Sequence, residues 1–153
     1  MQHIDCISLT FEDNGRLHGD LVLRMGDEQC RCDSYFLWCE NPRSDANHAF
    51  IIQSVLAKLI DQWVVAIRAL VPKSSCFLPY DFSDQSTGWL RCTLEASHVL
   101  VQPGWSTIEG WSFAPSAVGE LIANVADFKP KGPAVVIDRD AMLRSLIGTS
   151  ALG

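Results

Sequence analysis

Two aspartates three residues apart, Asp81 and Asp84, stand in the run LPYDFSDQSTGWLRC (78–92) among hydroxyl side chains, an amide and a tryptophan. Carboxylates so placed act as general acid and base, or hold a hard cation together with Glu109, when folding sets them opposite one another. With His98, which opens a strand-like run after Glu95-Ala96-Ser97, they form the set a small hydrolase or small-ligand enzyme would use. The stretch lacks the ligand alternation and the glycine of a calcium loop. Asp, Ser and Thr ahead of a strand otherwise satisfy backbone groups in Asx and ST turns, and turn chemistry is the reading preferred here.

Other catalytic and metal signatures are missing from the sequence. Cys30, Cys32 and Cys39 do not follow the paired knuckles of a structural zinc site. On an extended strand the first two would share a face with Phe36 and Trp38 while Cys39 turned away. The six cysteines therefore read as core thiols. His3, His18, His48 and His98 lie in no nucleophile motif, and there is neither a G-x-S-x-G elbow nor a phosphate-binding G-x-x-x-x-G-K. No cofactor and no metal are expected.

Three Gly-Trp pairs, Gly88-Trp89, Gly104-Trp105 and Gly110-Trp111, crowd one short span. Trp111 shares strand parity with Phe113, which places at least one of those rings in the core. Trp105, beside a Pro-Gly turn, is the ring expected on display. An exposed indole beside acids suits a binding hot spot, because it buries a large area at small entropic cost. From Pro79 to Glu120 there are five acids and one base, a net of −4 out of the chain's −6. Such a face attracts a basic protein and repels nucleic acid, whose phosphates require clustered Lys and Arg.

The elements that must carry these residues follow from hydrophobic period and turn chemistry. Ile7, Leu9 and Phe11 alternate with polar residues, Asn14-Gly15 supplies a type I′ turn, and the chain returns through Leu17, Leu21, Leu23 and Met25. Gly26-Asp27 turns it again into a third strand carrying Cys30, Cys32, Phe36 and Trp38. Ser44 or Asp45 caps a long helix whose apolar residues, Leu56, Leu59, Ile60, Trp63, Ile67 and Leu70, leave a narrow polar stripe. A second meander is expected from GWLRCTLE, HVLVQ and IEGWSF, then a helix from Ser116 to Phe128. AVVI forms a buried strand, and Asp138 or Asp140 caps a final helix, with 147–153 fraying. The whole is an α+β fold. It is a mainly antiparallel sheet of two three-stranded meanders plus a short C-terminal strand, with the long helix on one face and two shorter C-terminal helices.

With 153 residues, 48 % hydrophobic and 20 % charged, the chain reads as a single domain, 1–153. Its start has neither the basic nor the apolar region of a signal peptide, and polar residues interrupt the apolar run 49–71, so a cytoplasmic protein without a membrane span is expected. A small acidic α+β chain bearing YDFSDQSTGWLR and IEGWSF resembles the immunity proteins with which bacteria neutralise polymorphic or contact-delivered toxins. That resemblance implies a stoichiometric, non-enzymatic inhibitor occluding a basic toxin's active cleft, with Asp81, Asp84 and Glu109 supplying charge and Trp105 the apolar anchor. The alternatives are the Asp81/Asp84/His98 enzyme and a subunit of a homo-oligomer, such as a homodimer, whose long helix is covered from both sides.

Overall fold

A computed structural model describes residues 1–13, 20–40 and 47–152, with side chains to residue 148. The chain opens on a short strand, β1 (Gln2–Ile4), and then forms the three-stranded meander that the alternating pattern demands: β2 (Ile7–Phe11), β3 (Leu21–Met25) and β4 (Glu28–Cys32). Leu9 pairs with Leu23 and Phe11 with Leu21, so the apolar sets of β2 and β3 share the buried face. Gly26 makes the second turn at φ +62°, a left-handed conformation that favours glycine. The expected Asn14-Gly15 turn, Leu17, and the Ser44 and Asp45 caps lie outside the described residues.

β4 ends at Cys32, earlier than its alternation suggests. The Asp33 carboxylate accepts the Tyr35 N–H at 2.8 Å, and the Ser34 carbonyl accepts from Leu37 and Trp38, which starts a short helix, α1 (Tyr35–Cys39). Helical spacing then buries Leu37 rather than the Phe36 and Trp38 pair. Asn47 caps α2 (His48–Ala69) by accepting from Ala49 and Phe50. By length and composition α2 could cross a membrane, with a mean hydropathy of 1.6, and its polar residues do not remove it from that class. Here it buries Ile52, Leu59, Ile60, Trp63 and Ile67 in the core.

The second meander is shifted relative to its sequence pattern. It consists of β5 (Ser75–Phe82), β6 (Thr87–Glu95) and β7 (His98–Ser106), so LPYDF is itself a strand and IEGWSF is a loop. After a single 3₁₀ turn at Gly119–Ile122 come β8 (Lys129–Pro130), β9 (Val135–Asp138) and α3 (Arg139–Leu152). The helix expected from Ser116 to Phe128 does not form. Gly119 takes φ +75°, which a right-handed helix cannot contain, yet Val118 and Val125 still reach the core. Asp138 caps α3 by accepting the Ala141 N–H, and α3 continues to Leu152 where fraying was expected.

The protein is α+β with mostly antiparallel pairing, divided between two sheets. One runs β2-β3-β4; the other runs β1-β9-β7-β6-β5, with β8 also paired to β7 and β1 parallel to β9. Cross-strand register gathers Cys76, Leu78, Leu90, Cys92, Leu94, Val99, Val101 and Ile137 on one face of the larger sheet, in a continuous core with α2 and α3. The opposite face is covered by the segment after β7, through Phe113 and Phe128.

Candidate functional site

The end of the larger sheet that carries Thr87 and Ser106 is a fixed pedestal. Both residues are fully buried. Thr87 donates its hydroxyl to the Ile108 carbonyl at 2.5 Å, and the Trp89 indole N–H donates to Ser106 Oγ at 3.1 Å. Asp127 accepts both the backbone N–H and the hydroxyl of Thr107, bonds that hold its carboxyl below the usual carboxylate range. Phe113 stacks on buried Trp89 with ring centres 5.6 Å apart and packs against Phe82 at 5.7 Å. These bonds and ring contacts hold the loop 107–113 against the sheet.

That loop meets the β5–β6 turn. Gly110 donates its N–H to the Ser83 carbonyl at 2.8 Å, and a Cβ at Gly110 would lie 2.7 Å from that same oxygen, so close approach requires glycine here. Ser83 and Ser86 close the turn through backbone and hydroxyl bonds, leaving Asp84 exposed at its tip. Glu109 is exposed on the adjoining loop, where Ser112 ties down its carbonyl. The fold therefore brings Asp84 and Glu109 onto neighbouring loops joined by a backbone bond.

Two shallow depressions flank this junction and share Phe36 of α1. One is lined by Asp33, Tyr35, Phe36 and Ser83 to Ser86. The other is lined by Phe36, Cys39, Glu40, Trp111, Phe113 and Pro115. Trp111 is 63 % exposed, and Glu40 accepts the Ser116 hydroxyl at 2.6 Å, tying the end of α1 to the far side of the groove. The second depression is an apolar groove bearing an open indole with Glu40 at its edge, and the first, across Phe36, is a polar hollow carrying the carboxylates of Asp33 and Asp84.

The other residues singled out from sequence lie elsewhere. A bulge in β5 sets Tyr80 and Asp81 together opposite Gly88, whose missing side chain leaves room for the tyrosine ring. Asp81 Oδ1 accepts the Asp33 N–H at 2.9 Å, which makes Asp81 a tie between β5 and the start of α1. Burial pushes its carboxyl pKa up, the Asp33 charge adds to this, and the Asp33 N–H and Lys131 oppose it. Trp105, 38 % exposed, lies on the Asp81 side of the sheet with the Lys129 ammonium 4.7 Å from its ring centre. It is partnered within the chain and is outside the groove.

His98 corrects the enzyme alternative. Asp81 opposes Gly88 and His98 opposes Glu95, so seven residues of β6, roughly 23 Å of strand, separate the histidine from the aspartate. His98 stands instead beside His3, ring centres 6.2 Å apart. No group of three or more His, Cys, Asp or Glu side chains suited to a metal occurs among the described residues. Of the cysteines, Cys32, Cys76 and Cys92 are buried as read, whereas Cys6 and Cys30 are exposed.

Trp111, Tyr35 and Phe36 are the groove residues that sequence reasoning passed over. The third Gly-Trp pair marks Trp111; of the two rings given one parity, Phe113 packs on the core as expected and Trp111 is open, because 108–113 is a loop and its side chains need not share a face. Comparison with models of protein families, with curated proteins and with solved structures gives no match.

Proposed function

We propose that this protein is a non-enzymatic binding module whose groove, centred on Trp111 and bordered by Asp84, Glu109 and Glu40, engages a basic partner protein. Trp111 carries the reading: a large ring left 63 % exposed on a loop that four neighbouring bonds and a ring stack hold in place. Hot spots are built this way, since a pre-ordered aromatic loses little entropy on docking. The chain's net −6 and the excess of acids around the groove select the sign of the partner. The immunity proteins that the sequence resembles give this module its concrete form, an intracellular inhibitor occluding a basic toxin's cleft. Asp84 and Glu109 then supply the charge, Trp111 takes the place first given to Trp105, and Asp81 supports the site from within.

The homo-oligomer alternative receives less support. Phe50 and Val65 are strongly exposed apolar residues of α2, at 69 % and 66 %, about 22 Å apart along the axis, and the apolar depression that Val65 lines with Ala66 and Ile122 is separate from Phe50. The test is to compare retention by the wild-type chain and by Trp111→Ala on immobilised supports exposed to host extract, identify the retained protein, and express it alone. A basic protein that is lost with Trp111→Ala, and whose toxicity coexpression relieves, is the expected result. Equal retention by both chains removes the groove from the account, and a retained protein that is harmless alone removes the immunity reading.

A further inference from the structure

Cys30 and Cys32 stand two residues apart on β4, pointing to the same side of the strand, with their sulfurs 4.0 Å apart. They differ sharply in access: Cys30 is exposed and Cys32 is buried. Among the described residues β4 is the outer strand of its sheet, paired to β3 on one side, and so its other edge can pucker. Immediately after Cys32, Asp33 donates the N–H that anchors Asp81.

We propose that Cys30 and Cys32 form a redox-active dithiol, in which Cys30 attacks a low-molecular-weight disulfide first and Cys32 resolves the adduct. In the first step the Cys30 thiolate attacks one sulfur of R–S–S–R, forming Cys30–S–S–R and releasing RS⁻. The Cys32 thiol then gives its proton to the released thiolate and attacks Cys30 Sγ, forming the Cys30–Cys32 bridge and expelling a second RS⁻. Two protein thiols are oxidised by two electrons and one small disulfide is reduced to two thiols.

The surroundings divide the two roles. Either sulfur can donate in the neutral pair, but once Cys30 is a thiolate only the Cys32 thiol can, and this contact brings the Cys30 pKa down to about 7, with burial and Asp81 opposing and Lys131 assisting. The same bond, together with burial and the charges of Cys30 and Asp81, pushes the Cys32 pKa far up, so Cys32 waits as a thiol. Among the described residues, Tyr80 and Asp81 of β5 and Lys131 after β8 are the titratable or charged groups that face the pair from neighbouring elements. Same-face neighbours on an extended strand have Cα atoms about 6.7 Å apart, at the upper limit for a disulfide, so the bridge draws β4 in and reduces easily.

The test treats the full-length chain with mixtures of oxidised and reduced glutathione, quenches in acid, alkylates and maps the peptides. The expected product is a reversible Cys30–Cys32 bridge, with glutathione retained on Cys30 in Cys32→Ser and no adduct on Cys32 in Cys30→Ser. A measurement on the wild type alone avoids any folding defect of the variants: alkylation of Cys30 should outpace that of exposed Cys6 at neutral pH and reach half its limiting rate near the pKa of about 7. Absence of the bridge at every glutathione ratio, or alkylation of Cys6 as fast as Cys30, overturns the proposal.

Discussion

Replacing Trp111 with alanine separates binding from folding, because the ring is largely exposed. A tryptophan presents up to about 250 Å², and Trp111 leaves 63 % of its surface open. Covering that remainder removes roughly 150 Å² from water, worth a ceiling near 4 kcal/mol at about 25 cal/mol per Å². Desolvation of neighbours and ordering of the partner reduce the realised value, so a loss of about 2–4 kcal/mol is expected, roughly a 30- to 900-fold rise in Kd. Stability should change by less than about 1 kcal/mol, because surface truncations away from core contacts cost little. Isothermal titration against the partner, beside denaturant unfolding of each chain, measures both quantities. An unchanged Kd with an intact fold refutes the assignment of Trp111 as anchor, and a large loss of stability shows that the ring serves the fold.

Other substitutions test the site's supports. Gly110→Ala should destabilise the loop by about 1–3 kcal/mol, since its methyl would press on the Ser83 carbonyl and the Phe82 backbone, and chemical denaturation reads this directly. Ser106→Ala leaves the buried Trp89 indole N–H without its acceptor and should cost about 1–3 kcal/mol by the same assay. Asp81→Asn keeps an oxygen for the Asp33 N–H and removes a desolvated charge, whereas Asp81→Ala loses the bond and about 1 kcal/mol. The folded-state pKa of Asp81 lies above its ordinary value of 3.8, so the native state holds that proton more tightly and the Asp81 contribution to stability falls as pH rises through that window, while that of Asp127, whose carboxyl is lowered, changes in the opposite sense. Asp81→Asn should lack this component of the fall when unfolding is followed across acid pH, and a fall identical to wild type contradicts the burial of that charge.

The pattern of sequence that specified the fold was strongest where one period ran uninterrupted. Ile7, Leu9 and Phe11 and the apolar positions of α2 placed their elements because burial on one side demands that spacing. The pattern misled where a single side chain intervened: the Asp33 carboxylate ends β4 and begins α1, and the positive φ of Gly119 breaks a helix that Val118, Leu121 and Val125 otherwise suggest. For the candidate site, composition drew attention to the acidic, tryptophan-bearing segment 79–120, which the fold divides between strands and loops. It could not divide the segment, because the outward placing of Asp84 rather than Asp81 follows a bulge at Tyr80, and of the two exposed indoles Trp105 carries Lys129 over its ring while Trp111 sits on the loop that Gly110 ties to Ser83. Those contacts join residues far apart in the chain.

The most direct test of the acidic groove is the salt dependence of partner association, measured by stopped-flow for the wild type and for the double variant Asp84→Asn, Glu109→Gln. If the groove takes the basic partner proposed for it, two exposed carboxylates beside the anchor steer its approach, so the wild-type association rate should fall steeply as salt rises, and the variant should be several-fold slower at low salt with a shallower slope. Equal rates and equal slopes for the two chains would contradict the account.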